Sequence, residues 1–339
     1  MVNTNGRCIV HVHSRSINEA DLGYGAVESL LLTARKHSHT YVLASNDYVG
    51  IINEIRILSP FIVILHDISL TWVSEFIDTS VFVLNHSGLL GMSFGHVQGD
   101  REKRNAIMHF TSSVHYLCLN PGSYDFYRDL QVNMASVSLV RNYVDTSLFY
   151  PRIDLDNSRR ILIVGNDVPT KRFDLRKYLP NEYCVSCVGI SDNSDFREVK
   201  RADMPEVYRD HDILFHPSEF EGMSMAILEA LESGLRVICS EALRPGLKGI
   251  DFNVIYIPEN VLAFPDENRL DKVLVGVLSD IQKRPNPFKI DYDSFYNRIL
   301  KLSARTKIKS KRNLKGSLIY FKYWIKRKLC LVQDIVHLS

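Results

Sequence analysis

The chain alternates two kinds of segment. Short runs that stay apolar at consecutive positions, Cys8–His13, Thr40–Ala44, Phe61–Leu65, Val81–Asn85, Val114–Leu119 and Val137–Val140, are rich in Val and Ile. Longer stretches of mixed polarity and helical length, such as Val27–Lys36, separate them. Unbroken apolar runs are what a parallel strand needs when helices cover both of its faces. The pattern restarts after Pro151 with Ile161–Val164, Tyr183–Val188, Ile213–His216, Val237–Ser240 and Val254–Ile257. Helix candidates Met204–Asp210, Ser224–Ser233 and Arg269–Lys283 lie between these. Two series of similar size, joined near Asp145–Asp156, predict an α/β protein of two doubly wound, Rossmann-like domains facing a central cleft. The expected division is residues 1–147, residues 148–295 and a C-terminal tail, 296–339. Ligands bind such folds beyond the carboxyl ends of the strands, so the cleft is the expected site.

Composition adds little to this picture, and charge adds more. With 339 residues, 45% of them apolar, the chain has material for two cores. No apolar run approaches the ~20 residues of a membrane-spanning helix. The N-terminal MVNTNGRCIVHV enters the first strand without the basic, apolar and small-residue series of a secretion signal, so the expectation is a cytoplasmic protein. The six cysteines are scattered, and Cys184 and Cys187 read as one buried strand rather than a metal or redox pair. The net charge of +2 conceals an asymmetry. Residues 301–328 hold eleven Lys or Arg and no acid, which leaves −9 on the rest of the chain.

The chemistry concentrates in HPSEFEGMSMAILEALESGLRVI, from His216 to Ile238. A strand ends at His216-Pro217, a loop with two carboxylates follows, and a helix begins near Ser224. Leu228, Leu231 and Leu235 recur at helical spacing, and Gly234 is placed to end the helix. The loop brings Glu221 and Gly222 to the positive end of that helix. There the unpaired amides of residues 223–226 suit a diphosphate, which makes Gly222, Met223, Ser224 and Met225 candidate donor-binding residues. Glu229 lies eight residues beyond Glu221, so both carboxylates can meet one elongated ligand.

The run Glu221-Gly222-Met223-Ser224-Met225-Ala226-Ile227-Leu228-Glu229-Ala230 resembles the E-x7-E signature of family 4 retaining glycosyltransferases. Four other segments resemble that family in the same order. They are the Gly25-Ala26-Val27-Glu28 loop, VRNYVDTSLFYP from Val140, VGNDVPTKRFD from Val164 and PEVYRDHDILFHPS from Pro205. The resemblance implies a GT-B fold and transfer of a sugar from a UDP- or GDP-sugar to a glycan acceptor. It implies that Glu221 holds donor-sugar hydroxyls and supports charge at the anomeric carbon, and that Glu229 holds the ribose. Lys171 corresponds to the diphosphate-binding lysine. The family's partner arginine falls at Asn166, with Arg172 as the candidate replacement, and Gly25 and Ala26 map to a loop that approaches phosphate closely. Relatives carry a cleft histidine, here assigned to His86, with His66 and His13 as alternatives.

The implied mechanism is front-face transfer, in which enzyme groups position the reactants and stabilise charge. No Asp-x-Asp motif stands at a strand end, so neither metal nor cofactor is expected. The Leu89–Phe110 loop, with Gly91, Gly95 and Gly99, Met92 and Phe94 and the run Asp100–Arg104, reads either as an acceptor loop or as an ordinary solvated one. In the tail, Leu318, Phe321, Ile325, Leu329, Val332 and Val336 form an apolar stripe beside Lys322, Lys326, Arg327 and Lys328. That pattern fits peripheral contact of the 301–339 tail with an anionic membrane. Docking on the first domain competes with this reading, and no base-reading module favours nucleic acid. Two other functions stay open: a GT-B relative that isomerises or hydrolyses nucleotide sugars, and a catalytically degenerate partner subunit that binds nucleotide sugar or stabilises an active transferase.

Overall fold

The computed structural model describes residues 8–13, 26–45, 47–86, 114–129, 137–151, 159–191, 195–219, 221–263, 265, 267–278 and 290–305. The first six strands are β1 (Ile9–His13), β2 (Thr40–Ala44), β3 (Ile62–Leu65), β4 (Ser80–Asn85), β5 (His115–Cys118) and β6 (Val137–Leu139). They form one parallel sheet in the order β2-β1-β3-β4-β5-β6. The next six are β7 (Arg160–Val164), β8 (Cys184–Val188), β9 (Phe196–Arg197), β10 (Ile213–His216), β11 (Arg236–Ser240) and β12 (Val254–Ile257). They form a second parallel sheet, β12-β11-β10-β7-β8-β9. Each order reverses beside its first strand, between β1 and β3 in one sheet and between β7 and β10 in the other. Those switch points, at the carboxyl ends of the strands, are where doubly wound sheets leave a crevice for ligand.

Burial explains why the apolar runs are unbroken. On β3 and β4, odd and even positions face different cores: Ile62, Ile64, Phe82 and Leu84 face one, Val63, Leu65, Val81 and Val83 the other. The first of these cores continues into the second domain, taking in Leu162, Leu214, Ile227 and Val237. The linker joins the two through Tyr143, Val144 and Phe149, all buried. A third core, with Ile161, Phe215 and Ile238, lies on the far face of the second sheet.

Two expectations need correction. Cys184 is exposed and only Cys187 is buried, because β8 presents its first half to solvent and its second half to the core. The tail also does not start at residue 296, since one helix runs from Tyr292 to Arg305 across that position. Its apolar residues Tyr292, Phe295, Ile299 and Leu302, spaced at helical intervals, pack into the shared core. Tyr292 touches His37 of the first domain, with ring centroids 4.2 Å apart. The chain thus returns to the first domain before the basic segment. The 318–336 stripe and the Leu89–Phe110 loop lie outside the described residues. Among those described, no helix is long and apolar enough to cross a membrane.

Candidate functional site

On the second domain, β10 ends at His216 and the loop beyond it folds back on the turn after β7. The Thr170 carbonyl accepts the Glu219 N–H at 2.9 Å and the Ser218 hydroxyl at 3.4 Å. That stitch sets Lys171, the last residue of a short 3-10 turn, against the Glu221 carboxylate, with which it forms an ion pair. His216 Nε2 lies 2.9 Å from the same Glu221 oxygen. Burial alone would raise the Glu221 pKa. The His216 hydrogen bond and the Lys171 charge outweigh it and bring the group down to about 2. Burial pushes His216 below its ordinary value, so the neutral ring donates its Nε2–H to Glu221.

Beyond Glu221 the chain enters the helix Met225–Glu232, with Ser224 extended at its N-cap. The Leu228 N–H bonds back to the Ser224 carbonyl, which leaves the first-turn amides without intrahelical acceptors. Glu229 is buried and paired with Arg201, 28 positions earlier in the chain. Burial alone would lower the Arg201 pKa, but the Glu229 charge and hydrogen bond outweigh it and raise it. The guanidinium also lies over the Phe149 ring, 5.0 Å from its centroid. Nearby, β7 and β8 end in Gly165 and Gly189, both at positive φ, and a Cβ on Gly189 would sit 1.9 Å from the Gly165 carbonyl oxygen. Only glycine at 189 allows the two strand ends to meet there.

The first domain closes on this loop through two asparagines. Asn120, after β5, donates from Nδ2 to the Gly222 carbonyl at 3.2 Å. Asn142, after β6, donates its N–H to the Met223 sulfur at 3.2 Å and its Nδ2 to the Met223 carbonyl at 3.3 Å. A cavity of about 120 Å³ lies at this junction, lined by Asn120, Glu221, Gly222, Met223, Ser224 and Gly246. One strand over from β5, His86 follows β4 and is half-buried. Its Nε2 is 3.0 Å from Nδ1 of His66, which follows β3 at the sheet's switch point.

The structure therefore brings Lys171 and Glu221 together, with Gly222, Met223, Ser224, Met225 and Glu229 in one continuous segment behind them. Arg172 turns the other way. At φ 53° it caps the short turn and pairs with Glu259 at 2.5 Å, while Asn166 is exposed. Gly25 lies outside the described residues, and Ala26 opens the helix Ala26–Arg35. Sequence reasoning missed Arg201 and His216 as partners of the two glutamates. His216 stands at a strand's carboxyl end, which is a legible signal, whereas nothing local marks Arg201.

Two sheets of this order, facing each other across paired carboxylates, define the GT-B architecture. Residues 148–268, within the second domain, match the family model described as Glycosyl transferases group 1. Among solved structures, Anabaena Alr3699/HepE in complex with UDP and glucose superposes with a TM-score of 0.63 at 12% identity, over 88% of this chain and 99% of that one. Sucrose-phosphate synthase of Thermosynechococcus elongatus gives 0.61 at 14% identity, over 96% and 100%. WaaG, a glycosyltransferase involved in lipopolysaccharide biosynthesis, gives 0.53 at 13%, over 92% and 99%. At these identities the likeness is one of fold. No curated protein matches the sequence.

Proposed function

We propose that the protein transfers a sugar from a nucleotide-sugar donor to a glycan acceptor with retention of anomeric configuration. The observation that carries this reading is the convergence of Lys171, His216 and Glu221 in front of a helix N-terminus, with Glu229 one helix face behind. In this reading the donor diphosphate takes the first-turn amides of Met225–Glu232 and draws Lys171 away from Glu221. Glu221, kept ionised, holds sugar hydroxyls and supports positive charge at the anomeric carbon. Glu229 holds the ribose, with Arg201 orienting its carboxylate. The bond from anomeric carbon to phosphate oxygen breaks and its electron pair stays on the diphosphate. The acceptor hydroxyl then bonds to the same face and passes its proton to the departing phosphate oxygen. Lys171 and the helix amides stabilise the leaving charge, so this scheme assigns no step to a metal or cofactor.

Structures of Alr3699/HepE hold UDP and UDP-glucose, which makes UDP-sugars the first donors to test and GDP-sugars the second. The acceptor in our reading is a lipid-linked saccharide at the cytoplasmic face of the membrane. It rests on the basic, amphipathic 301–339 sequence, and flotation of full-length protein with anionic liposomes checks it. A thermal-shift screen with UDP, GDP and their sugars, repeated on Glu229→Ala, tests donor binding. The expected result is a nucleotide-dependent shift that the variant loses. Donor consumption with and without a saccharide acceptor then separates transfer from hydrolysis. A second reading, a partner subunit without turnover, draws on the exposed Asn166 where the resemblance places an arginine. Absence of a shift with every nucleotide supports it.

A further inference from the structure

The first domain carries a chain of polar contacts that the scheme above leaves unused. Side-chain alternation puts His11 of β1 on the same face as Ile9, and register places Thr40 of β2 beside Ile9. From this face a continuous line of hydrogen bonds runs to His86. The His66 Nδ1 is 3.0 Å from His86 Nε2, and His66 Nε2 is 2.7 Å from His11 Nδ1. His11 Nε2 is 3.1 Å from the Tyr292 hydroxyl, which is 2.9 Å from the Thr40 hydroxyl. The line starts on the helix that returns from the second domain and ends at the half-buried His86. His11, His66 and Thr40 are all buried.

A neutral imidazole has one N–H and one lone pair, so the bond at one nitrogen decides the role of the other. Burial pushes His11 down to about 3 and His66 well below its ordinary value, so both rings are neutral at pH 7. Two arrangements then satisfy every contact. If Tyr292 donates to His11 Nε2, then His11 donates from Nδ1 to His66, His66 donates from Nδ1 to His86, and His86 keeps its proton on Nδ1. If His11 donates to Tyr292 instead, all three rings carry Nε2–H and His86 keeps a lone pair on Nδ1. Any mixture sets two donors or two lone pairs against each other in the interior, which costs more than either uniform state.

We propose that Tyr292 is a positioning residue for His86: its hydroxyl, acting through His11 and His66, sets which ring nitrogen of His86 carries the proton. This builds on the reading that His86 stands at the donor sugar. There, an Nδ1–H donates to a sugar hydroxyl, whereas an Nδ1 lone pair accepts from one. The direction of the line, set at Tyr292, thus reaches His86 three hydrogen bonds away and the sugar through a fourth.

Long-range proton–nitrogen spectra of the full-length, histidine-labelled protein at neutral pH test this directly. His11, His66 and His86 are expected in one common tautomer. Tyr292→Phe is expected to shift the ring nitrogens of all three, and His66→Leu to cut the line, so that adding Tyr292→Phe to it leaves His86 unmoved. If Tyr292→Phe does not fold, Thr40→Val perturbs the same hydroxyl with a near-isosteric side chain. Mixed tautomers in the wild type, or a response confined to His11 in the variant read, would overturn the proposal. In turnover assays Tyr292→Phe is expected to lower kcat about fivefold, the scale of one weakened hydrogen bond, with the nucleotide thermal shift unchanged. An unchanged kcat beside a propagated nitrogen shift also overturns the positioning role. Failure of the wild type to transfer sugar counts against the proposed function and leaves the spectroscopic arm to decide the coupling.

Discussion

The two sides of the cleft are built on opposite electrostatic plans. On the second domain both central carboxylates are already paired, Glu221 with the Lys171 cation and the neutral His216 ring, and Glu229 with Arg201. On the first domain a line of hydrogen-bonded histidines runs from His11 inside β1 to His66 and His86 after β3 and β4, and burial keeps His11 and His66 neutral. Ion pairs hold opposite charges ready for a ligand that exchanges partners, the role the proposed function gives to a diphosphate at Lys171. A neutral chain holds no charge to exchange, and what it carries is direction. One side therefore supplies field and the other supplies orientation. A group-transfer site needs both, field where charge develops and orientation where a hydroxyl must attack.

The sharpest way to break this contrast is to remove a charge from the second side. Glu229→Ala leaves the half-buried Arg201 guanidinium without its partner and is expected to cost about 3 kcal/mol of stability, read from the urea midpoint, together with the nucleotide-induced thermal shift. Combining it with Arg201→Met should restore much of the stability but not the shift. That result separates the pair's structural cost from its role in binding.

Glu221→Gln should lower kcat by roughly a hundredfold, the scale of losing one electrostatic stabiliser, with less effect on nucleotide binding. The same variant has a pH signature. The folded pKa of Glu221, about 2, lies below its ordinary 4.5, so the carboxylate contributes stability above pH 4.5. The wild type's advantage over Glu221→Gln should shrink as pH falls from about 4.5 to about 2, as followed by thermal melts across that window. Asn120→Ala removes the hydrogen bond to the Gly222 carbonyl and should cost about 1 kcal/mol, visible as faster hydrogen exchange in the 221–225 segment. The smallest expected effect is a gain. Asn166→Arg adds a guanidinium at an exposed position beside the β7 turn and should tighten nucleotide binding about threefold, less than 1 kcal/mol, by calorimetry.

Much of the fold was legible because parallel strands buried on both faces leave unbroken apolar runs. All five runs expected in the second domain lie within a residue of the observed strands. The two-residue β9 is too short to leave any pattern, and β8 hid its exposed half behind valines and cysteines. Glu221 and Glu229 were legible because their spacing and the helix start between them are local. Arg201 was not, because its partner lies 28 residues away and an arginine before a helix usually meets solvent. The histidine line illustrates the same limit. His66 and His13 stood as alternatives to His86, but only the order β2-β1-β3-β4 shows that His11, His66 and His86 sit on neighbouring strands. Strand order is set by long-range packing, not by any run of residues.

The chain passes between the domains twice, through the linker around Val144 and again before Tyr292. The two passages are bonded to each other, the Val144 N–H donating to the Ile290 carbonyl at 2.7 Å. Two crossings pinned together hold the base of the cleft in one register. Beside them the Tyr143 and Tyr292 rings pack edge to face, with centroids 4.8 Å apart. The register at that point comes from a backbone hydrogen bond between two segments that meet only in space.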